Sequence, residues 1–213
     1  MLQTFNCELF SSKECDTLVE YFKSMSATIN SGTNINPTYD GRILNADDCD
    51  TVIRNLLYTK SIEVATMVSK FYGENTVYPE TIHVVSWGAG TSLGTHADNF
   101  FIEQDKPNYS PNRNYSATFV LTEDFEGGEF YFDYKGKKFI MPTRKGWGNV
   151  FGAGPEYPHG VQEVTSGHRY TVAIWFTKDY QHSIYNRTQV TRSSSTGKIG
   201  SEASKTIPFI LPQ

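Results

Sequence analysis

The sequence predicts a mainly β fold with helices gathered at its N-terminal end, of the sandwich or jelly-roll kind. Three observations carry this. From Thr81 onward, segments of about five to eight residues rich in Val, Phe, Tyr, Thr and Trp alternate with Gly, Pro and Asp turns. No helical period interrupts them, which disfavours βαβ units and a parallel sheet. Helical periodicity is confined to the first quarter or so of the chain.

The elements follow in order. Ser11 with Glu14 three residues on is a capping-box signature, and Cys15, Leu18, Val19, Phe22 and Met25 then share one helical face. A second helix is predicted from Asp47-Asp48, carrying Ile53, Leu56, Leu57, Val64, Met67, Val68 and Phe71 inward and stopping at Gly73. Thr28 to Asn45, rich in Asn, Gly and Thr, reads as a mobile loop or irregular hairpin. Predicted strands are Thr81–Trp87, Ser116–Thr122, Glu129–Tyr134, Lys138–Met141, Gly148–Phe151, Gly160–Thr165 and Arg169–Phe176. The chain is read as a single domain over 1–213, with a helical cover (1–75), a jelly roll (81–178) and a polar tail (187–213).

Composition bounds the function. The 213 residues are 38% hydrophobic, enough for one packed core. Lys and Arg total 19 against 23 Asp and Glu, so no basic excess exists to condense onto nucleic acid. The longest apolar runs, such as Val172 to Phe176, fall far short of the roughly 20 residues that cross a bilayer. Three cysteines and no basic-then-apolar leader argue against a disulfide framework and for a reducing, cytoplasmic setting.

One constellation carries chemistry. His96-Ala97-Asp98 follows the Gly-rich run Trp87-Gly-Ala-Gly90, and residues i and i+2 on an extended segment share a face. An imidazole and a carboxylate need one more imidazole to form the two-His-one-carboxylate triad of non-haem Fe(II) oxygenases, and His159 is the natural third. His83, His168 and His182 read as structural or solvated. Arg169 lies ten residues beyond His159. A chain turning at Ser166-Gly167 and returning would bring it beside the metal, where its fork suits the distal carboxylate of a 2-oxo acid. Thr171 shares that face and can add a hydroxyl.

The segment from Thr81 to Lys178 resembles the catalytic domain of 2-oxoglutarate/Fe(II)-dependent prolyl 4-hydroxylases and their lysyl hydroxylase relatives. The matching pieces are Gly88-Ala-Gly-Thr, His96-Ala-Asp98, the strand Ser116–Thr122 after Arg113, Glu126-Gly-Gly-Glu129, Pro142 to Gly146, Phe151, and His159-Gly160 through Arg169. The resemblance implies a double-stranded β-helix with iron ligands His96, Asp98 and His159, and Arg169 binding 2-oxoglutarate. Three positions depart from the pattern. Arg169 stands where collagen-type enzymes usually carry Lys, Trp87 and Leu93 lie near the place of a common Tyr, and Ser116 stands where a Thr often approaches the cosubstrate.

What the resemblance implies is hydroxylation of a peptidyl residue, proline first, using Fe(II), 2-oxoglutarate and O2, with ascorbate as a candidate accessory. Peptidyl-lysine and small-molecule or free amino-acid hydroxylation are the rivals in the same superfamily. A non-catalytic metal-binding jelly roll and a cupin-type isomerase are the alternatives of another class. The partner expected is a peptide or protein, Pro-rich by preference, with neither nucleic acid nor membrane, and the chain a monomer or homodimer. Thr28–Arg42 and Asn99–Asn114 are candidate lids. Asn99, Phe100, Tyr109, Trp147, Tyr157 and Trp175 are candidates to line a groove that would hold polyproline II.

Overall fold

The computed structural model describes residues 3–25 and 42–187. Strand β1 (Phe5–Glu8) leads into helix α1 (Ser12–Ser24), which begins where the sequence places it. Glu14 N donates to Ser11 Oγ, and Ser11 N donates back to Glu14 Oε2 at 2.8 Å, satisfying two orphan donors reciprocally. Strand β2 (Arg42–Asn45) occupies the end of the segment expected to be a loop, and the part of that segment before Arg42 lies outside the described residues.

Helix α2 (Thr51–Tyr72) starts later than the sequence suggested. Ala46–Asp48 is a separate 3₁₀ turn, and Asp50 is the cap, its Oδ1 accepting from Val52 N and Ile53 N. The acidic cluster hid which Asp does the capping. Gly73 ends the helix at φ 71. The buried stripe runs through Ile53, Leu57, Ser61, Val64, Ala65 and Val68. Met67 and Phe71, expected inside, are 36% and 48% exposed, because they lie beside that stripe, with Phe71 resting on the Phe5 ring.

The β part comprises β3 (Tyr78–Gly88), β4 (Leu93–His96), β5 (Phe100–Phe101), β6 (Lys106–Pro107), β7 (Tyr115–Val120), β8 (Phe125–Gly127), β9 (Phe130–Tyr134), β10 (Lys137–Ile140), β11 (Trp147–Gly152), β12 (His159–Val161) and β13 (Val164–Thr177). One sheet runs β1-β11-β7-β13-β3-β2, with β8 pairing the start of β13. The second runs β10-β9-β12-β4, and β5 pairs β6 in a small hairpin. All pairings are antiparallel.

Two expectations about the last strands are corrected. Gly160–Thr165 is not one strand, since β12 ends at Val161 and β13 begins at Val164. Ser166-Gly167 is not a reversal either. Gly167, at φ 75, sits inside β13, where the strand changes partners from β8 to β3. Arg169 therefore reaches the site because the chain leaves the small sheet after β12 and continues straight along β13 in the large one.

The helices cover one face of the large sheet, where Leu18, Phe22, Leu57 and Val68 join Phe119, Val150, Val172 and Ile174 in one core. Alternation sends the intervening residues to the opposite face. There Val85, Trp87 and Phe151 meet Phe130, Phe132, Val161 and Val164 in a second, smaller core. Two sheets facing each other with one end open and helices outside are the double-stranded β-helix that the sequence predicted. No helix of the described residues is long and apolar enough to cross a membrane.

Candidate active site

The space between the sheets opens into a cavity of about 590 Å³, and its walls include His96, Asp98, His159, Arg169 and Thr171. β4 and β12 place the two histidines directly opposite each other, His159 in register with His96, and their rings stand 4.4 Å apart. Asp98, two residues past His96, returns to the same face. One donor atom from each of the three residues lies within 4.8 Å of the others.

Each imidazole is oriented through its second nitrogen. His96 Nδ1 lies 2.9 Å from Gly94 O, and His159 Nδ1 lies 2.9 Å from Tyr157 O. Donating Nδ1–H to a carbonyl leaves Nε2 as the lone-pair nitrogen facing the cavity. Phe130, Phe151 and Phe132 pack around the His159 ring. Both Nε2 atoms face Asp98, His96 at 3.7 Å from Oδ1 and His159 at 3.6 Å from Oδ2. Ser116 Oγ donates to Asp98 Oδ2 at 2.6 Å.

Burial and charge set the protonation states. Burial opposes ionisation of Asp98, yet His159, His96 and Ser116 outweigh it and hold the carboxyl well below its ordinary range. Burial and the neighbouring His96 push His159 down to about 4, so it is neutral at physiological pH, as a metal ligand must be. Burial also opposes charge on His96, but hydrogen bonding and attraction to Asp98 raise it overall.

Arg169 is 1% exposed, and its Nε and Nη1 are buried with no hydrogen-bond partner in the protein. Burial lowers its pKa to about 10, Glu129 opposing, so it stays charged. A buried, unsatisfied guanidinium costs several kcal/mol unless an anion completes it. Trp87 Nε1 donates to Thr171 Oγ1 at 3.2 Å, and the Arg169 guanidinium lies 5.6 Å from the centre of the Trp87 ring. The donor set fits Fe(II), and the orphaned fork fits the far carboxylate of a dicarboxylic 2-oxo acid.

Comparison with known proteins agrees with this geometry. Residues 82–177 match the model of the 2OG-Fe(II) oxygenase superfamily. This segment is a 2OG-Fe(II) oxygenase domain. A stretch of 104 residues is 39% identical to prolyl 3-hydroxylase 1 of Gallus gallus, covering 44% of this chain and 14% of that protein. Human prolyl 3-hydroxylase 2 is 40% identical over 94 residues, 39% of this chain and 13% of its own length. The chain thus spans about a seventh of these relatives. The fold of a Pseudomonas putida prolyl-4-hydroxylase superposes with a TM-score of 0.65 at 17% identity, covering 84% of this chain and 94% of that one. A Trichoplax adhaerens prolyl hydroxylase, solved with a hypoxia-inducible-factor peptide, gives 0.64 at 14% identity over 84% and 85%.

The oxygenase domain brings His96, Asp98, His159, Arg169 and Thr171 together at one cavity, but the other expectations fare unevenly. Ser116, expected beside the cosubstrate, lines the same cavity, and its hydroxyl donates to Asp98. Of the proposed groove residues, Phe100 and Trp175 line the cavity. Asn99 donates to Arg113 O, Tyr109 is 95% exposed and meets Phe101 edge to face, Trp147 lies under the Arg144 guanidinium, and Tyr157 packs behind Gly152. Asn99–Asn114 is not a bare loop, since β5 and β6 form a hairpin within it. The Thr28–Arg42 lid falls outside the described residues except for Arg42.

Sequence reasoning missed one stretch of the cavity wall. His83, set aside as structural or solvated, lines the cavity with its ring 5.1 Å from Trp175. The Arg113 guanidinium covers the same indole at 4.2 Å, and its Nε donates to Glu80 Oε2 at 2.9 Å. No local pattern announces this stack, because its members come from β3, β13 and the connection before β7.

Proposed function

We propose that the chain is an Fe(II)- and 2-oxoglutarate-dependent dioxygenase that hydroxylates a peptidyl residue, with proline as the preferred target. The observation that carries this is the buried Arg169, whose Nε and Nη1 have no hydrogen-bond partner, in the wall of the same cavity as the His96–Asp98–His159 cluster. A structural metal site has no use for such an arginine. In this reading residues 81–178 are the catalytic jelly roll and residues 1–75 its cover; the tail read from the sequence over 187–213 lies, apart from Arg187, outside the described residues.

Bound by the three ligands, Fe(II) would supply the oxidative chemistry, with O2 delivering one atom to a substrate C–H and one to the succinate left when 2-oxoglutarate loses CO2. The protein's residues do the rest. His96 and His159, each offering a deprotonated Nε2 as ligation requires, and ionised Asp98 would hold the ion and leave positions open to the cosubstrate. Arg169 fixes the far carboxylate, with the Thr171 hydroxyl as a second donor. The apolar residues Val85, Phe130 and Val161 in the cavity wall keep bulk water from the reacting C–H.

Along β13 the wall residues step Arg169, Thr171, Ala173, Trp175, and β3 opposes the first three with Trp87, Val85 and His83. A cosubstrate seated at Arg169 leaves the Trp175–His83–Arg113 end for substrate. That end is aromatic and balanced in charge, because Glu80 neutralises Arg113 and burial holds His83 neutral with a pKa of about 4. A neutral pyrrolidine ring in an extended backbone suits it better than a lysine ammonium. The relatives similar in sequence are named prolyl 3-hydroxylases and those similar in structure prolyl 4-hydroxylases or prolyl hydroxylases. The two products differ only in which ring carbon is turned toward the metal.

The test is to load the chain with Fe(II) under anaerobic conditions, add 2-oxoglutarate and O2, and measure succinate release across Pro-, Lys- and Asn-containing peptides, with and without ascorbate. Product hydrolysis then identifies the hydroxyproline isomer. Succinate coupled to a one-oxygen mass gain on proline is expected. Release coupled to lysine alone would transfer the assignment to the rival reaction, and no 2-oxoglutarate binding at all would leave a metal-binding module.

A further inference from the structure

Asp98 is held at more points than a metal ligand at the end of a strand needs. Its N–H donates to Ala153 O at 3.1 Å and its carbonyl accepts from Asn108 Nδ2 at 3.1 Å, so the main chain is braced from both sides. Its side chain receives the Ser116 hydroxyl at 2.6 Å, a length typical of O–H donation to an ionised carboxylate. Ser116 is 2% exposed, and β7 aims it through its pairing with β13 and β11. The bond is specific to one oxygen, Oδ2.

We propose that Ser116 is a positioning residue that makes Asp98 a one-oxygen ligand. This rests on the reading of His96, Asp98 and His159 as the metal site. Accepting a short O–H bond draws charge from Oδ2 and occupies a lone pair, so Oδ1 is the better donor to a cation. The consequence is a count. An octahedral ion held by two imidazoles and one carboxylate oxygen keeps three positions, two for the chelating 2-oxo acid and one for O2. If both oxygens of Asp98 engaged the ion, only two positions would remain, and the 2-oxo acid would fill them. A single hydroxyl thereby protects the position that oxygen needs. The Asn108 bond places the same ligand under the influence of the β5–β6 hairpin, which also walls the cavity through Phe100, Phe101 and Ile102.

The test uses the full chain with Mn(II), without cosubstrate or peptide, and has two readouts. Affinity is measured by competition with a fluorescent chelator, and the waters left on the metal by proton relaxivity of the bound Mn(II). Ser116→Ala should weaken Mn(II) affinity by about 10- to 100-fold, the usual effect of losing a ligand's hydrogen-bond partner. Its relaxivity per bound ion should fall by about a third as both oxygens engage. Ser116→Thr keeps the hydroxyl and should restore both values. Ser116→Cys fills similar space with a far weaker donor and should behave like Ser116→Ala, which separates the hydroxyl from the packing. Wild-type affinity and relaxivity in folded Ser116→Ala, or no recovery in folded Ser116→Thr, would overturn the proposal. His159→Ala distinguishes the underlying reading: if it binds Mn(II) like the wild type, the metal site itself is wrong and the role of Ser116 goes with it.

Discussion

Trp87 and Thr171 meet across the β3–β13 pair, the indole Nε1 donating to the threonine hydroxyl oxygen at 3.2 Å in a buried setting. With a lone pair of Oγ1 occupied by the indole, the hydroxyl proton is left to point elsewhere, and Arg169 lies on the same face of β13. Arg169 and Thr171 thus both offer donors there, which suits a fully ionised carboxylate. Thr171→Val should weaken 2-oxoglutarate binding to the Mn(II)-loaded protein by about 1.5–3 kcal/mol, or roughly 10- to 150-fold. Trp87→Phe should cost less, and in the Thr171→Val background it should cost almost nothing. A double-mutant cycle by calorimetry checks this, and additive losses would show that the two residues act separately.

Arg169→Leu should raise the dissociation constant for 2-oxoglutarate by about 2–5 kcal/mol, roughly 30- to several-thousand-fold. Metal affinity should hardly change. Arg169→Lys should recover part of the loss, because charge remains but the fork does not. Unchanged binding in Arg169→Leu would point to another cation.

Gly128 is the residue against which the Arg169 stem lies. A Cβ there would come within 3.0 Å of Arg169 Cδ and 2.8 Å of Val164 Cγ2, at a φ of 66 that side chains rarely adopt. Gly128→Ala should therefore displace the arginine, lowering both the melting temperature and 2-oxoglutarate affinity. Gly136→Ala, with open space around its Cβ and a similar φ, is the control that carries strain without the clash. Equal cosubstrate affinity in the two variants would exclude a role for the Gly128 contact.

Metal binding separates the histidines. His96→Ala, Asp98→Ala and His159→Ala should each abolish turnover and lower Mn(II) affinity, whereas His182→Ala should do neither. His83→Ala should keep the metal and raise the KM for peptide. Chelator competition alongside steady-state kinetics tests the pattern, which fails if His159→Ala retains full metal occupancy and turnover.

His83 also predicts an acid-sensitive stability. Burial, then Arg113 and Arg187, with Asp47 opposing, holds its folded pKa near 4 against an ordinary value of 6.5. Below about 6.5 the unfolded chain takes up a proton that the folded chain refuses, so stability falls as pH drops from about 6.5 to about 4 and this contribution is level outside that window. The full effect is on the order of 3 kcal/mol. Denaturant unfolding at pH 7 and pH 5 should show a smaller loss in His83→Gln than in the wild type, and equal losses would refute it.

The parts of the site legible in the sequence are those written locally. His96 and Asp98 announce themselves by a spacing of two on an extended segment, and His159 and Arg169 belong to an ordered run of short pieces. What stayed hidden depends on register between strands distant in sequence. Ser116 reaches Asp98, Trp87 reaches Thr171, and Arg113 covers Trp175 only because particular strands pair at particular offsets. The Ser166-Gly167 error has the same root, since a glycine with positive φ reads alike in a hairpin turn and in a strand changing partners. Met67 and Phe71 were misplaced because a 22-residue helix over a twisted sheet buries only one narrow stripe, here completed by Ser61 and Ala65.

β4 lies at the end of its sheet, held by β12 alone among the described strands, and it carries His96 four residues before the chain leaves for β5. A metal ion bridging His96 to His159 would rivet that unprotected margin to its neighbour. Loading would then be felt as mechanical closure: amide exchange across residues 93–98 slows, and proteases lose an entry point. Iron supply would in this way set the lifetime of the polypeptide as well as its competence, with empty molecules fraying first at the margin where oxygen chemistry is to occur.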